Sequence, residues 1–241
     1  MAGDGTAAPL APLAIELRDV WKRFPGTAAA ALRGVSLRIP AGRRVALIGP
    51  NGSGKSTLTR IIMGLLACEG QVLVDGRAAF TDRVALAHRL AYVPQIAPQL
   101  GASVGEVLAA VALLRDLPVA AVEALADALD LPLSTLRPRP FRHLSGGMKQ
   151  KLLLALALAT RAPLFSLDAP TASLDARARA RFFELYRAQA QGATLLLCSH
   201  RLEEVQQLVD HAVALQDGQV LYDGPAEEAR LRELLDHGRG A

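Results

Sequence analysis

Two cysteines in 241 residues, Cys68 and Cys198, are too few and too far apart for a disulfide framework. Neither stands in the C-x-x-C spacing of a zinc site, so both read as buried free thiols of a reducing compartment. Long apolar runs are missing as well. The longest, Leu152 to Ala159 and Leu195 to Cys198, fall well short of the roughly 20 residues of a membrane span. This holds although 51% of the residues are hydrophobic and mean hydropathy is positive. The opening stretch, MAGDGTAAPLAPLA, has an acidic Asp4, no cationic segment and no sustained apolar run, which argues against a signal peptide and for a loose tail over 1–12. Charge of one sign is not in excess: 27 Lys and Arg against 23 Asp and Glu leave +4. A dedicated nucleic-acid binder has a clustered basic stripe, so no nucleic-acid partner is expected. Aromatics are few, at 4%, but the apolar half suffices for a buried core and excludes a disordered or fibrous chain. No internal repeat or long linker divides the sequence, which predicts one domain over 1–241.

What is present is a regular alternation of elements. Ala14 to Val20 and Gly34 to Ile39 mix apolar with charged residues like half-exposed strands, and Val45 to Ile48 is a short apolar strand before a turn. Leu164 to Leu167 and Thr194 to Cys198 are apolar strands followed by helical patterns over Asp175 to Gln189 and Leu202 to Val209. Strand then helix, repeated, implies a buried parallel sheet. Between them Val104 to Leu133, rich in Ala, Leu and Val at helical spacing, predicts an inserted all-helical lobe bounded by Pro94, Pro98, Pro138 and Pro140. From His211 a strand pair turns at Gln216-Asp217-Gly218, and a polar amphipathic helix follows from about Pro225 to Asp236.

The stretch Gly49-Pro50-Asn51-Gly52-Ser53-Gly54-Lys55-Ser56-Thr57 fits G-x-x-x-x-G-K-[ST], with an apolar strand before it and a helical segment, Thr57 to Leu66, after it. In that context glycines let backbone N–H groups point inward, and the helix N-terminus adds its positive dipole end, so phosphate oxygens meet preorganised donors. Lys55 supplies a point charge and the Ser56 hydroxyl a ligand for Mg²⁺. A nucleoside triphosphate is the ligand this cradle predicts.

A second string, Leu144-Ser145-Gly146-Gly147-Met148-Lys149-Gln150, precedes another helix. Ser145 reads as a helix N-cap, but two glycines in a first turn cost roughly 1 kcal/mol each relative to alanine. Close backbone approach to a ligand is a sufficient reason for them. This string resembles the signature motif of ATP-binding cassette proteins, and other positions match that family in order from about residue 13 to 225. The resemblance implies an α/β fold: a P-loop NTPase core with a mixed sheet, an N-terminal antiparallel β subdomain and an inserted all-helical lobe. The core would be 13–98 and 161–241, and the lobe with the signature motif about 99–160.

The resemblance also assigns roles. Phe24 stands where an aromatic stacks on adenine, though a core phenylalanine is the plainer alternative. Gln95, in Tyr92-Val93-Pro94-Gln95, stands where a glutamine senses Mg²⁺ and the attacking water. Asp168, at the end of Leu164-Phe165-Ser166-Leu167, contacts Mg²⁺ directly or through water. Ala172-Ser173-Leu174-Asp175 resembles the loop that signals across the dimer, and His200 the histidine that touches the γ-phosphate. Ser145, Gly146 and Gly147 face the γ-phosphate held by the other subunit, so the ATP site is a composite of two chains. His88, His143, His211 and His237 show no metal-ligand spacing.

One position departs from the family's pattern: Asp168-Ala169-Pro170 stands where Asp-Glu-Pro is expected, so the general base is missing. Its loss typically costs ~10²–10⁴ in rate. Either Ala169 is an engineered substitution that holds an ATP-bound dimer, or the chain is a degenerate, non-catalytic half whose signature motif serves another chain. The implied function is the ATP-binding subunit of a membrane transporter, an ATPase with ATP and Mg²⁺ as cofactors and hydrolysis impaired at Ala169. Its partners are a second copy and a separate integral membrane permease, docked through the apolar stretch Ile96 to Leu100, which sets the chain peripherally at the cytoplasmic face of the membrane. A soluble ATPase of the same family acting on nucleic acid or ribosomes is the lesser alternative, since neither a coiled-coil insertion nor a tandem cassette is present. The lack of a large extension after Ala226 points to a simple subunit of an exporter or a two-gene system; the transported substrate is not encoded here.

Overall fold

The computed structural model describes residues 12–199 and 201–237, and they open in strands. The first stretch runs β1 (Leu13–Lys22), β2 (Leu32–Pro40), β3 (Arg44–Ile48), α1 (Lys55–Ile62), β4 (Glu69–Val74), β5 (Arg77–Ala78), the single-turn α2 (Arg83–Leu86) and β6 (Leu90–Val93). Helices follow: α3 (Val104–Arg115), α4 (Val119–Ala128), the short α5 (Leu133–Leu136) and α6 (Gly146–Ala159). The chain then returns through β7 (Leu164–Asp168), α7 (Ala176–Gln189), β8 (Thr194–Cys198), α8 (Leu202–Leu208), β9 (His211–Gln216), β10 (Gln219–Pro225) and α9 (Glu228–His237).

The strands form two sheets. An antiparallel sheet has the order β2-β1-β4-β5, and a mixed six-stranded sheet has the order β10-β9-β3-β8-β7-β6. In the mixed sheet β3, β6, β7, β8 and β9 pair in parallel and only β10 runs antiparallel. Every residue of β7 and β8 is buried, which is why both read as mainly apolar segments rather than alternating ones. Side chains of successive residues still leave by opposite faces. Val45 and Leu47 of β3 join a cluster with Ile15, Leu17, Leu58 and Ile61, against the antiparallel sheet and α1. Ala46 and Ile48 join Val205 and Leu231 of α8 and α9 on the other face. A third cluster runs unbroken from Val104, Val122 and Leu152 of the helical lobe to Phe165, Leu197 and Phe182 of the sheet and α7. Phe165 meets Tyr186 edge to face there, 5.7 Å between centroids.

The α/β class, the mixed sheet, the antiparallel N-terminal sheet and the helical lobe follow the sequence expectation. Several bounds differ, for local reasons. Helix α1 stops at Ile62 rather than Leu66, because Met63 leaves helical geometry and Gly64 takes φ 69°. Strand β10 extends to Pro225, so α9 starts at Glu228. Strands β4, β5 and β6 give no clear sequence signal: β4 has its first three residues exposed, and β5 and β6 have two and four residues. Cys198 is buried as expected, whereas Cys68 is half-buried.

Candidate functional site

Strand β3 ends buried at Ile48, and the chain turns away at Gly49, whose φ is 145°. A Cβ at Gly49 would lie 2.1 Å from the Leu215 carbonyl oxygen of β9, so the turn admits no side chain. The loop closes onto α1, whose N-cap is Gly54. Its outer side is propped by the β9–β10 turn: Gly218 N–H donates to the Ser53 carbonyl at 3.1 Å, and Arg33 N–H donates to the Gly218 carbonyl at 2.8 Å. Arg33 Nε donates to the Asp217 carbonyl at 2.7 Å.

Lys55, only 9% exposed, turns its amine back onto this loop. Nζ donates to the Gly49 and Pro50 carbonyls at 2.7 Å each and to Ser53 Oγ at 3.5 Å. Burial pulls its pKa below the ordinary lysine value, and the nearby Asp168 carboxylate opposes that shift. Beside the loop lies a cleft of about 180 Å³ lined by Ala31, Asn51, Gly52, Gly54, Lys55, Ser56, Thr57, Gln95, Asp168, Ala169 and Cys198. Ser56 Oγ donates to Asp168 Oδ2 at 3.5 Å, so a hydroxyl and a carboxylate face each other across the cleft floor. Gln95 reaches the wall from just beyond β6.

Ala169 also stands on that wall, with φ 46° and its N–H donating to the Cys198 carbonyl at 2.8 Å. Its methyl offers no proton acceptor. Among the described residues lining the cleft, Asp168 is the one carboxylate. Cys198 was expected only as a buried thiol, and sequence reasoning missed its place in the cleft. Burial pushes that thiol up to about 12, and Thr59 Oγ1 sits 3.4 Å from its sulfur.

The remaining predicted residues lie elsewhere. Phe24 is half-buried but does not line the cleft; its ring faces the Lys22 amine at 5.3 Å and its carbonyl accepts from Thr27. Ala31 takes the wall position on that side. Ser145 and Gly146 are exposed and away from the chain's own cleft. Ser145 Oγ caps α6 by accepting from Met148 N–H at 3.2 Å. Gly147 has a reason inside the chain, because a Cβ there would lie 2.9 Å from the Ser173 carbonyl oxygen. At Gly146 the nearest atom, Ser173 Oγ, is at an ordinary 3.7 Å, so no neighbour in the chain requires that glycine. Asp175 caps α7 by accepting from Ala178 N–H at 2.8 Å, which holds its carboxyl below the usual range. His200 lies outside the described residues.

This geometry, a glycine-turned loop opening a helix with a lysine, a serine and an aspartate converging on one cleft, is matched by family. Residues 32–172 match the ABC transporter family. The chain belongs to it, as an ATP-binding subunit. The nickel import ATP-binding protein NikO of Rhodobacter capsulatus is 37% identical over 92% of this ABC chain and 93% of its own length. The phosphonates import ATP-binding protein PhnC of Caulobacter vibrioides is 33% identical over 86% of each. A solved structure described as the ATP binding subunit of an ABC transporter superposes with a TM-score of 0.78 at 30% identity, over 94% of this chain and 95% of that one. No helix among the described residues is long and apolar enough to cross a membrane.

Proposed function

We propose that this chain is an ATP-binding subunit that closes with a second such subunit around ATP and Mg²⁺, drives a separate membrane permease and hydrolyses ATP slowly. The observation that carries the slow turnover is Ala169, a methyl on the cleft wall beside Asp168 with no other carboxylate among the lining residues described.

The donor set suits the ligands. The loop's N–H groups and the α1 N-terminus would hold phosphate oxygens, and Lys55 exchanges its loop carbonyl partners for them. Ser56 and Asp168 are hard oxygen ligands of the kind Mg²⁺ takes, few enough that phosphates and water complete its shell. When bound, Mg²⁺ neutralises charge on the phosphates. Gln95 lies where it can face both metal and water, and His200 is read as the contact to the γ-phosphate. At residue 169 nothing orients the attacking water or takes its proton, so hydrolysis is slowed ~10²–10⁴-fold and the ATP-bound pair persists.

Exposed Ser145 and Gly146, offered outward from α6, support a site completed by a partner chain; Asp175 would signal across that contact, and Phe24 is read as the adenine-stacking aromatic on the family resemblance alone. Ile96, 80% exposed, and Leu100, 38% exposed, support docking of a permease segment at the stretch after Gln95. The import proteins among the relatives support import over export, and they favour a peripheral position at the cytoplasmic side. An intact signature beside a lost base favours, as second reading, a non-catalytic half paired with a competent subunit. The test is ATPase activity of the purified chain and Ala169→Glu with the permease present. The glutamate variant should turn over ~10²–10⁴ faster; equal rates overturn the proposal.

A further inference from the structure

Beyond the residues that line the cleft, the structure buries a carboxyl group to which the proposed turnover assigns no role. Glu204 of α8 is 1% exposed. Its two oxygens are divided between two loops: the Thr171 hydroxyl donates to Oε1 and the Ser199 hydroxyl donates to Oε2 at 2.7 Å. Arg201 closes the cluster, its N–H donating to Ser199 Oγ at 3.0 Å and its Nε lying 3.7 Å from Glu204 Oε1. Thr171 and Ser199 are themselves buried, at 0% and 3% exposure. A carboxyl group taken out of water this completely is destabilising unless its oxygens are satisfied, and a fully satisfied buried cluster fixes one arrangement.

Each tether leads somewhere. Ser199 follows Cys198, which lines the cleft and whose carbonyl accepts from Ala169 N–H. Thr171 stands within a run of tight turns, the Ala169 carbonyl accepting from Ala172 N–H at 3.1 Å and its own carbonyl accepting from Leu174 N–H at 3.0 Å. Within that run stands Ser173, whose carbonyl oxygen fills the space a Cβ of Gly147 would need. We infer that Glu204 is a positioning residue: it welds the loop after β7 to the loop after β8 and so fixes Ser173, the support on which the signature stretch rests. The wall of this chain's own cleft is thereby joined to the motif it offers to a partner's nucleotide. That last step rests on the proposed reading of Ser145 to Gly147.

Two hydroxyl donors need two acceptor oxygens. Glu204→Gln keeps shape and packing but has one, so a tether is lost or reversed. Thr171→Val removes the other end. Hydrogen exchange of the full chain without nucleotide tests the weld. In Glu204→Gln, exchange at 171–176 and 145–151 should rise about tenfold while α1 stays unchanged, and Thr171→Val should do the same. The double variant should be no worse than the stronger single one, as expected for residues acting as a unit. Unchanged exchange at 145–151, a uniform rise everywhere, or effects that multiply would overturn the inference; if Glu204→Gln does not fold, Thr171→Val decides the same question by the same readout.

The second readout is ATP-driven association followed by light scattering. It should weaken about tenfold in Glu204→Gln with ATP affinity of the single chain within about twofold, a split that general loss of stability would not produce. Normal association of the variant overturns the link to the partner. A wild-type chain that fails to associate with ATP counts against the proposed function instead, and the exchange data still decide the role of Glu204.

Discussion

At the scale of single residues, the chemistry turns on one methyl. Ala169 already carries a Cβ at φ 46°, a left-handed conformation that costs an L-residue about 1 kcal/mol, so a glutamate there adds no new backbone strain. The gain expected from Ala169→Glu is therefore purely catalytic, and the unfolding midpoint of the variant should stay close to that of the parent. The two thiols make a second contrast. Burial holds Cys198 at about 12 and raises half-buried Cys68 as well, but Cys68 is the more exposed of the two, Cys198 being only 3% exposed. Because the thiolate is the nucleophile, a maleimide at pH 7.5 should label Cys68 first and leave Cys198 unmodified until the chain unfolds, as read by peptide mass spectrometry. Much at this scale was legible in the sequence: Lys55, Ser56, Asp168 and Gln95 converge on one cleft because their motif and strand ends put them there. Glu204 was not legible. Its partners stand 33 and 5 residues away, and a lone glutamate on a helix carries no mark of burial.

At the scale of elements, the first turn of α6 separates packing from function. Gly→Ala in a first helical turn ordinarily gains up to about 1 kcal/mol. Gly146→Ala should show that gain in chemical denaturation, since its new methyl finds open contact at 3.7 Å, yet should weaken ATP-driven association by crowding a partner's nucleotide. Gly147→Ala should have the opposite sign in stability, because its methyl would press on the Ser173 carbonyl at 2.9 Å. Equal stability changes for the two would refute this division. The sequence suggested that a ligand's approach explains both glycines; the fold explains one of them by a neighbouring loop. The helices and apolar strands were readable because their periodicity is strong, and β4 to β6 were not, being short, edge-placed or half-exposed. Phe24 illustrates the same limit, since the family's order assigns it to adenine while its ring lies beside the Lys22 amine and outside the cleft lining.

At the scale of the whole molecule, one apolar cluster spans the lobe and the sheet face, so the two share a continuous packed core. Exposed Ile96 stands at their junction, just past Gln95. Ile96→Asp should abolish co-purification with the permease while leaving ATP affinity of the chain within about twofold, because the residue lies outside the cleft lining. Retained co-purification would exclude that contact. The propped phosphate loop has a further consequence, for folding. Arg33 and Asp217, which close the support around Ser53, are 184 residues apart in the chain. A chain cut before the β9–β10 turn would hold every residue of the loop and lack its buttress, so a loop that is contiguous in sequence owes its shape to a contact of long sequence separation, one that forms late in folding.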